Sequence, residues 1–353
     1  MSSPSLLPGY DDSRVLVTTP FYGAGNNTTS APVAAESVDA WVLGLELVFG
    51  IIGTIGNLLV IIIIIRAKFL HNLTNYLILS LALADMIASM FLIFNVFLYE
   101  AGFITIPDNR IAAEIYCRLY ASFMFFWICV TTSVFNLVIV TLERFFAIVY
   151  PLRYPLYFTK GRARLIVALT WIFSILQELF ALWINSYNSE KHQCDYKYPH
   201  EAVEIFNGVF IFFISYFLPL LIMIWSYYLI MRNLKRSAGA MMREQSAGEN
   251  AYSLLRARKR VIHVLLTVVI AFVILWSPNH IVYLFQNFGI YLVDVRSAWY
   301  KLTRVMALAN SVINPFIYAF KYRQFRKGFR VVICGCVANQ VSDHTRATEM
   351  SAA

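Results

Sequence analysis

The sequence has few charged residues for its length. Only 14% of its 353 residues are Asp, Glu, Lys or Arg, whereas soluble globular proteins contain about 25%. Apolar residues make up 59% of the chain, and the mean hydropathy is +0.63. A chain this poor in charge cannot cover its surface in water, so an assembly of two or three soluble domains is excluded.

The chain also lacks a continuous basic stretch of the kind that binds nucleic acid. Its net charge is +9, but a nucleic-acid partner needs basic residues gathered on one water-exposed face. Here apolar runs separate the basic residues, so we expect no nucleic-acid partner. Residues 1–40 have no apolar core after a basic start, so we expect no signal peptide, and the first apolar run would act as a signal anchor.

What the sequence has in abundance is long apolar runs. The hydrocarbon core of a bilayer is about 30 Å thick, so a spanning helix needs about 20 mostly apolar residues. Each such run must be helical, because hydrocarbon offers no partner to an unpaired backbone N–H or C=O group. Seven runs are long enough: 41–65, 75–99, 116–149, 165–184, 203–231, 261–288 and 299–320. The sequence therefore predicts an all-α membrane protein, a bundle of seven transmembrane helices within residues 41–320.

The distribution of Lys and Arg between the spans predicts the orientation of the bundle. The segments 66–74, 144–164, 232–260 and 321–353 together carry 21 of these residues, and the opposite set carries eight. Because basic loops stay in the cytoplasm, we expect the N-terminus outside. The basic segments would then form a patch that faces anionic lipid and cytosolic partners.

The two ends of the chain carry signals for modification. Residues 1–40 are rich in Ser, Thr, Pro and Gly, a composition typical of disorder. They contain overlapping sequons at Asn26 and Asn27, so we predict a glycosylated extracellular tail. At the other end, Cys334 and Cys336 follow a basic, aromatic segment just after the last span, and we predict that they are palmitoylated in a cytoplasmic tail of residues 334–353.

Polar residues inside the predicted spans need a reason, because burying them in a bilayer is costly. Asp85 lies in the second span and Asn57 in the first, while Asn310, Ser311 and Asn314 lie in the seventh. Their similar depth predicts a hydrated cluster near the centre of the bundle. A carboxylate among amides and a hydroxyl suits a hard cation, and hydrogen bonds between helices are the alternative.

Motifs along the chain resemble those of one family. They are Asn57, Leu-Ala-Leu-Ala-Asp85, Glu143-Arg144-Phe145 with Pro151-Leu152, Trp171, Pro219 with Tyr227, Phe272-Val-Ile-Leu-Trp276-Ser-Pro278 and Asn314-Pro315-Phe-Ile-Tyr318. Found in this order over residues 41–336, they resemble the rhodopsin-like (class A) G-protein-coupled receptors. The resemblance implies a plasma-membrane receptor that activates heterotrimeric G proteins and is recognised by arrestin and receptor kinases.

The resemblance also implies roles for individual residues. Arg144, paired with Glu143, would be the switch arginine that engages the G protein once the sixth helix moves outward. Trp276 would be a toggle under the ligand, with Phe272 in a packed relay below it. The other implied switch residues are Tyr227, Pro278, Asn314, Pro315 and Tyr318.

Three further features follow from the resemblance. Asp85, Asn310 and Asn314 would form an allosteric sodium site that favours the inactive state, with no other cofactor. Cys117 and Cys194, both on the outer side, would form a disulfide. Residues 321–333 would form a short amphipathic helix on the membrane surface.

Some positions depart from the family pattern. Glu143 and Phe145 replace the commoner Asp and Tyr, which preserves the ion pair but removes a hydroxyl. Arg256 stands at the inner end of the sixth span, where many members carry an acid that holds the switch arginine, so we expect appreciable basal signalling. Cys117 precedes Arg144 by 27 residues, about two more than is usual in the family.

The ligand is approached by exclusion. No acid lies between Cys117 and Glu143, and the stretch that carries the aspartate of amine receptors is Phe-Phe126-Trp127, so a monoamine is not expected. The seventh span has no lysine at its middle, so light sensing is not expected either.

The outer half of the bundle combines charges with aromatic residues. The predicted ligand-binding residues are Glu100, Phe126, Trp127, Glu178, Trp276, Asn279, His280, Tyr283 and Arg304. A pocket that contains carboxylates and a guanidinium would suit a neuropeptide or another small peptide, unless Arg304 merely pairs with Glu46 or Glu100. A non-peptide small molecule or lipid is the alternative ligand.

Other classes of membrane protein fit less well. A transporter would show repeats between its halves, which we do not find. A membrane enzyme would need paired acids or metal-ligand spacing, which Asp85 and the six His residues do not provide. A receptor-like protein that does not signal remains an alternative.

Overall fold

The computed structural model describes residues 40–95, 105–243, 249–290 and 297–333. Its helices are α1 Ala40–Arg66, α2 Leu73–Asn95, α3 Arg110–Ile115, α4 Met124–Val149, α5 Tyr154–Tyr157, α6 Lys160–Glu178, α7 Ala181–Ile184, α8 Glu201–Phe212, α9 Leu218–Arg243, α10 Glu249–Asn287, α11 Ala298–Lys321 and α12 Arg323–Ile333. A single hairpin of β1 Asn185–Asn188 and β2 Gln193–Tyr196 is the sheet in this part of the chain. Asn26, Asn27, Glu100, Cys334 and Cys336 lie outside the described residues.

These helices form the seven predicted spans. The first and second spans are α1 and α2, the third is α3 with α4, the fourth is α6 with α7, the fifth is α8 with α9, and the sixth and seventh are α10 and α11. Six of the spans within the described residues are long and apolar enough to cross a membrane by composition alone. We call the hairpin end of the bundle the outer end and the α12 end the inner end.

The seventh span differs because one face of α11 is polar. With 24 residues it is about 36 Å long at 1.5 Å per residue, enough to cross the hydrocarbon. Arg304, Asn310 and Asn314 are all buried against neighbouring helices. They lower the apolar content of α11 without exposing a charge to lipid. Neighbouring helices cover this face, so its polar groups are not exposed to lipid.

The third span contains an irregular turn that accounts for the long spacing between Cys117 and Arg144. A π-helical turn covers Tyr116–Ala121, Phe123 has a left-handed backbone with φ 57°, and α4 begins at Met124. This wider path takes up the extra residues. It brings Cys117 to Cys194 with a Cα–Cα distance of 5.3 Å, and the two form the expected disulfide.

The outer and inner ends are closed by different elements. At the outer end, β1 and β2 pair antiparallel with Tyr187 opposite Cys194, and the disulfide ties this hairpin to the third span. At the inner end, α12 buries Phe325 while Arg323, Arg326 and Lys327 stay exposed. This is the amphipathic pattern of a helix that lies on a membrane surface. It begins at Arg323, two residues later than predicted.

Candidate functional site

A cavity lies at the outer end of the bundle beneath the hairpin. Its walls come from the third, fourth, fifth and sixth spans and from Tyr196 of the hairpin. Six of the nine predicted ligand-binding residues line it: Trp127, Glu178, Trp276, Asn279, His280 and Tyr283. These six are a third of the eighteen residues that line the cavity, and their role in ligand binding stays a prediction.

Two other predicted ligand-binding residues, Phe126 and Arg304, do not line this cavity. Phe126 is buried and packs edge-on against Trp127, with ring centroids 5.4 Å apart. Arg304 is buried between the seventh and first spans, where its Nη2 atom lies 3.2 Å from Oε1 of Glu46. Its guanidinium is therefore not part of the cavity wall, and the alternative of an ion pair with Glu46 is the arrangement found. Glu100 lies outside the described residues.

A polar group on the fourth span is the main electrostatic feature of the cavity. The Oε1 atom of Glu178 accepts hydrogen bonds from Thr131 Oγ1 at 3.3 Å and from Gln177 Nε2 at 3.4 Å. Gln177 Nε2 also donates to Ser215 Oγ of the fifth span at 2.8 Å. Thr131, Gln177 and Ser215 could not be predicted from the sequence, because uncharged polar residues in a span carry no sign of which helix they face.

The floor of the cavity is aromatic. The rings of His280 and Trp276 are 5.2 Å apart, and His280 stacks on Tyr216 at 4.8 Å. Tyr216 in turn stacks on Phe272 at 6.0 Å, and its hydroxyl shares a hydrogen bond with Ser277. The stacked rings therefore connect Trp276 and His280, which line the cavity, to Phe272, which does not line it.

The hairpin forms the roof of the cavity and is held by polar contacts. Tyr196 donates to the hydroxyl of Tyr198 at 3.0 Å, and Asn207 of the fifth span donates to the same hydroxyl at 2.8 Å. Burial raises the pKa of both tyrosines, so both hydroxyls stay protonated. The backbone N–H of Tyr187 donates to Glu114 of the third span at 2.7 Å. Besides the disulfide to the third span, hydrogen bonds thus tie the roof to the third and fifth spans.

The predicted polar cluster lies at the middle of the bundle. Asn314 Nδ2 donates to Asp85 Oδ2 at 2.8 Å, and Asn57 Nδ2 donates to the Ser311 carbonyl at 2.9 Å. Asn310 is buried in the same helix face as Asn314. Ser133 of the third span also neighbours the Asp85 carboxylate.

Four buried carboxylate or amide oxygens of this region have no hydrogen-bond partner among the described residues. They are Asn57 Oδ1, Asp85 Oδ1, Asn136 Oδ1 and Asn314 Oδ1. Carboxylate and amide oxygens are the donor type that hard cations prefer, so the residues present fit a sodium ion. Asn136 and Ser133 were missed, although their spacing of three on one helix puts them on a common face.

The inner end of the third span holds the predicted switch pair. Arg144 donates to both carboxylate oxygens of Glu143 and to the hydroxyl of Thr74 in the second span. Glu143 is fully buried and also accepts from Thr74 Oγ1 at 3.1 Å and from Tyr154 of α5 at 2.6 Å. Thr74 and Tyr154 were not predicted. The side chain of Arg256 lies outside the described residues.

The other predicted switch residues surround this pair and the path to it. Tyr227 and Tyr318 are buried, and the Tyr227 hydroxyl has no hydrogen-bond partner among the described residues. Phe272 is fully buried. Pro278 and Pro315 lie inside α10 and α11, where each removes a backbone hydrogen bond and favours a kink.

Comparison with known proteins agrees with this geometry. Residues 56–318 match the family described as 7 transmembrane receptor (rhodopsin family). The chain is 29% identical to galanin receptor type 1 of Mus musculus, over 87% of this chain and 88% of that protein. It is 26% identical to the pyroglutamylated RF-amide peptide receptor of Rattus norvegicus, over 92% and 77%. It is 30% identical to adenosine receptor A2a of Homo sapiens, over 88% and 75%.

Proposed function

Since the chain belongs to the rhodopsin family of seven-transmembrane receptors, we propose that it binds a small peptide in the outer cavity and activates heterotrimeric G proteins at its inner end. The observation that carries this proposal is the continuous packing from His280 and Trp276, which line the cavity, through Tyr216 to Phe272. The family consists of receptors rather than enzymes.

A peptide ligand is supported by the relatives and by the shape of the outer end. The galanin and RF-amide receptors are named for peptides. The hairpin roof offers backbone and tyrosine groups to an extended chain, and the cavity beneath it can take one terminal side chain. Apolar ligand pockets with a few placed polar groups are the usual form of such sites.

A non-peptide small molecule is the second candidate. Adenosine receptor A2a is about as similar to this chain as the peptide receptors are. The aromatic wall of Trp127, Trp276 and Tyr283 would also suit a flat ring. The two candidates differ in whether the ligand needs the hairpin, so exchanging exposed hairpin residues would weaken only a peptide.

Activation would shift an existing equilibrium between two arrangements of the bundle. A ligand that displaces Trp276 would favour bending of α10 at Pro278 and outward movement of its inner end. Arg144 would then exchange Glu143 and Thr74 for the G protein, with Tyr227 and Tyr318 moving in beside it. Arrestin and receptor kinases would recognise the same activated inner face.

A sodium ion would favour the inactive arrangement. Asp85, Asn314 and Asn136 supply free oxygens for it, and Asn310 lies in the same helix face. The ion would neutralise the buried carboxylate of Asp85. Loss of this site when α11 bends at Pro315 would link the polar cluster to activation.

The orientation follows from the charge distribution. With 21 basic residues on one set of loops and eight on the other, the N-terminus would be extracellular and α12 cytoplasmic. The receptor would act at the plasma membrane, with glycans on Asn26 and Asn27 and palmitate on Cys334 and Cys336. Removal of glycans from intact cells should shift the electrophoretic mobility, and Asn26→Gln with Asn27→Gln should abolish that shift.

A ligand screen tests the proposal. Cells that express the chain with a promiscuous G protein would be exposed to a library of short peptides and, in parallel, to nucleosides and related small molecules. A peptide that raises second-messenger levels in these cells, but not in cells expressing Arg144→Ala at equal surface density, supports the proposal. Ligands that bind without any nucleotide exchange would instead identify a receptor that does not signal.

A further inference from the structure

Glu178 is the one acidic residue among the described residues that line the outer cavity. No lysine or arginine of the described residues lines it, and Arg304 is paired with Glu46 outside its wall. The carboxylate lies in the fourth span and is 5% exposed. The cavity therefore contains an acid without a basic partner from its own wall.

The hydrogen bonds of Glu178 leave one carboxylate oxygen available. Thr131 and Gln177 both donate to Oε1, and no described residue donates to Oε2. Both donors are neutral, and the distances of 3.3 Å and 3.4 Å are at the long end of hydrogen bonding. Such contacts stabilise a buried negative charge far less than a cation does.

A second acceptor lies beside this carboxylate. The Oε1 atom of Gln177 is buried and has no hydrogen-bond partner among the described residues, while its amide nitrogen is engaged by Ser215. Neighbouring acceptors on Gln177 and Glu178 suit a group that carries several N–H donors. Trp127 and Trp276 line the same cavity, and indole faces attract cations.

We propose, on the premise of the ligand cavity described above, that Glu178 binds a cationic group of the ligand, a guanidinium or an ammonium from a peptide side chain or terminus. The third span offers no acid at this depth, so the fourth span supplies the counter-charge. The cation would complete the hydrogen bonding of Glu178 and Gln177 while its carbon chain packs against the tryptophans. The Glu178 site therefore predicts a positively charged ligand group, whereas the cavity alone says nothing about the charge of the ligand.

The experiment uses small probes and a binding measurement that does not depend on signalling. The purified receptor in lipid nanodiscs would be heated with phenethylguanidine, phenethylamine or the neutral phenethylurea. We expect the cations, but not the urea, to raise the Tm, and the stronger of the two cations identifies the preferred group. Glu178→Gln should weaken the apparent affinity for the cation at least about tenfold, with Tm of the unliganded protein unchanged or higher.

Two matched variants serve as controls. Glu190→Gln removes an exposed carboxylate at the hairpin turn and should leave the cation effect intact. Thr131→Val removes one donor to Glu178 but keeps the charge. Its affinity for the cations can change, but the cations should still raise the Tm more than the urea does, which separates a defect of charge from a defect of packing. Equal stabilisation by the urea, no stabilisation by either cation, or full retention of the effect in Glu178→Gln would overturn the proposal.

This result is separable from the test of signalling. Arg144→Ala should retain the cation-dependent Tm shift, because the inner switch is not needed for binding. If no agonist stimulates nucleotide exchange while the shift persists, receptor signalling fails and the Glu178 site stands. If only uncharged ligands stimulate nucleotide exchange, the proposal of a cation site at Glu178 fails and receptor signalling stands.

Discussion

Arg144 donates a hydrogen bond to Thr74, which joins the inner end of the third span to the second span. Glu143 accepts from both residues, so the three side chains form a closed polar triangle. Arg144, the proposed switch arginine, is thus held by the second span, whatever Arg256 of the sixth span contributes. This contact offers a restraint on Arg144 that the sequence analysis did not foresee, and it should lower the basal signalling expected from the basic residue at position 256.

The first prediction concerns this triangle. Thr74→Val keeps the shape of the side chain but removes its hydroxyl, so Arg144 and Glu143 each lose a partner. A buried hydrogen bond contributes about 1 kcal/mol, which corresponds to an approximately fivefold rise in the active population when that population is small. The rise in the active population is measured as basal nucleotide exchange in membranes, normalised to surface receptor number.

Thr170→Val is the matched control. Its hydroxyl donates only to the Ile166 carbonyl of its own helix, at 2.9 Å, so its loss should leave basal exchange unchanged. An equal rise in both variants would mean that Thr74 acts through general destabilisation of the bundle.

The second prediction concerns the buried ion pair of Glu46 and Arg304. Arg304→Ala leaves the Glu46 carboxylate fully buried without this guanidinium, and breaking a buried pair in this way costs about 3–5 kcal/mol. We expect a large fall in Tm and in surface expression. The double variant Glu46→Gln with Arg304→Met, which removes both charges, should recover much of the loss.

The same pair distinguishes structure from ligand binding. Because Arg304 lies outside the cavity wall, the double variant should bind the ligand with nearly unchanged affinity once expression is matched. A large loss of affinity in the well-expressed double variant would show that Arg304 reaches the ligand, as the sequence analysis first expected.

The third prediction concerns sodium. Replacing choline chloride with sodium chloride should raise the Tm of the purified receptor. Sodium at about ten times its Kd should raise the free energy of unfolding by about 1.4 kcal/mol. Asp85→Asn removes the charge that attracts the ion and should abolish this difference. Asn136→Ala should reduce it, since it removes one of the free oxygens. Sodium-dependent stabilisation that survives in Asp85→Asn would place the ion elsewhere.

The fold was predictable from the sequence because the bilayer leaves so few choices. An apolar run of about 20 residues in hydrocarbon must be a helix, so counting apolar runs predicted all seven spans. In the structure the buried polar residues of α11 account for its weaker apolar signal. The π-helical turn at Tyr116–Ala121 was visible only as a spacing between Cys117 and Arg144 two residues longer than usual, with no indication of how the chain absorbs it.

The site was predictable where a residue's type alone marks it. Glu178 stood out because a charged group is rare inside a span, Trp276 because it belongs to a motif that resembles the family, and His280 because it lies one helical turn from Trp276. The partners of Arg304 could not be decided, since spacing along one helix does not say which neighbouring helix it faces. Thr74 and Gln177 escaped notice for the same reason, as their roles depend entirely on contacts across the bundle.

Agonist-stimulated nucleotide exchange on a G protein, measured in membranes, tests most directly whether this chain is a signalling receptor that works through its inner switch. The comparison is between wild type and Arg144→Ala at matched surface density, with ligand binding measured on the same membranes. We predict robust exchange for wild type, and for Arg144→Ala retained binding with exchange reduced to the level of membranes without receptor. Undiminished exchange in Arg144→Ala would contradict the assignment of the switch.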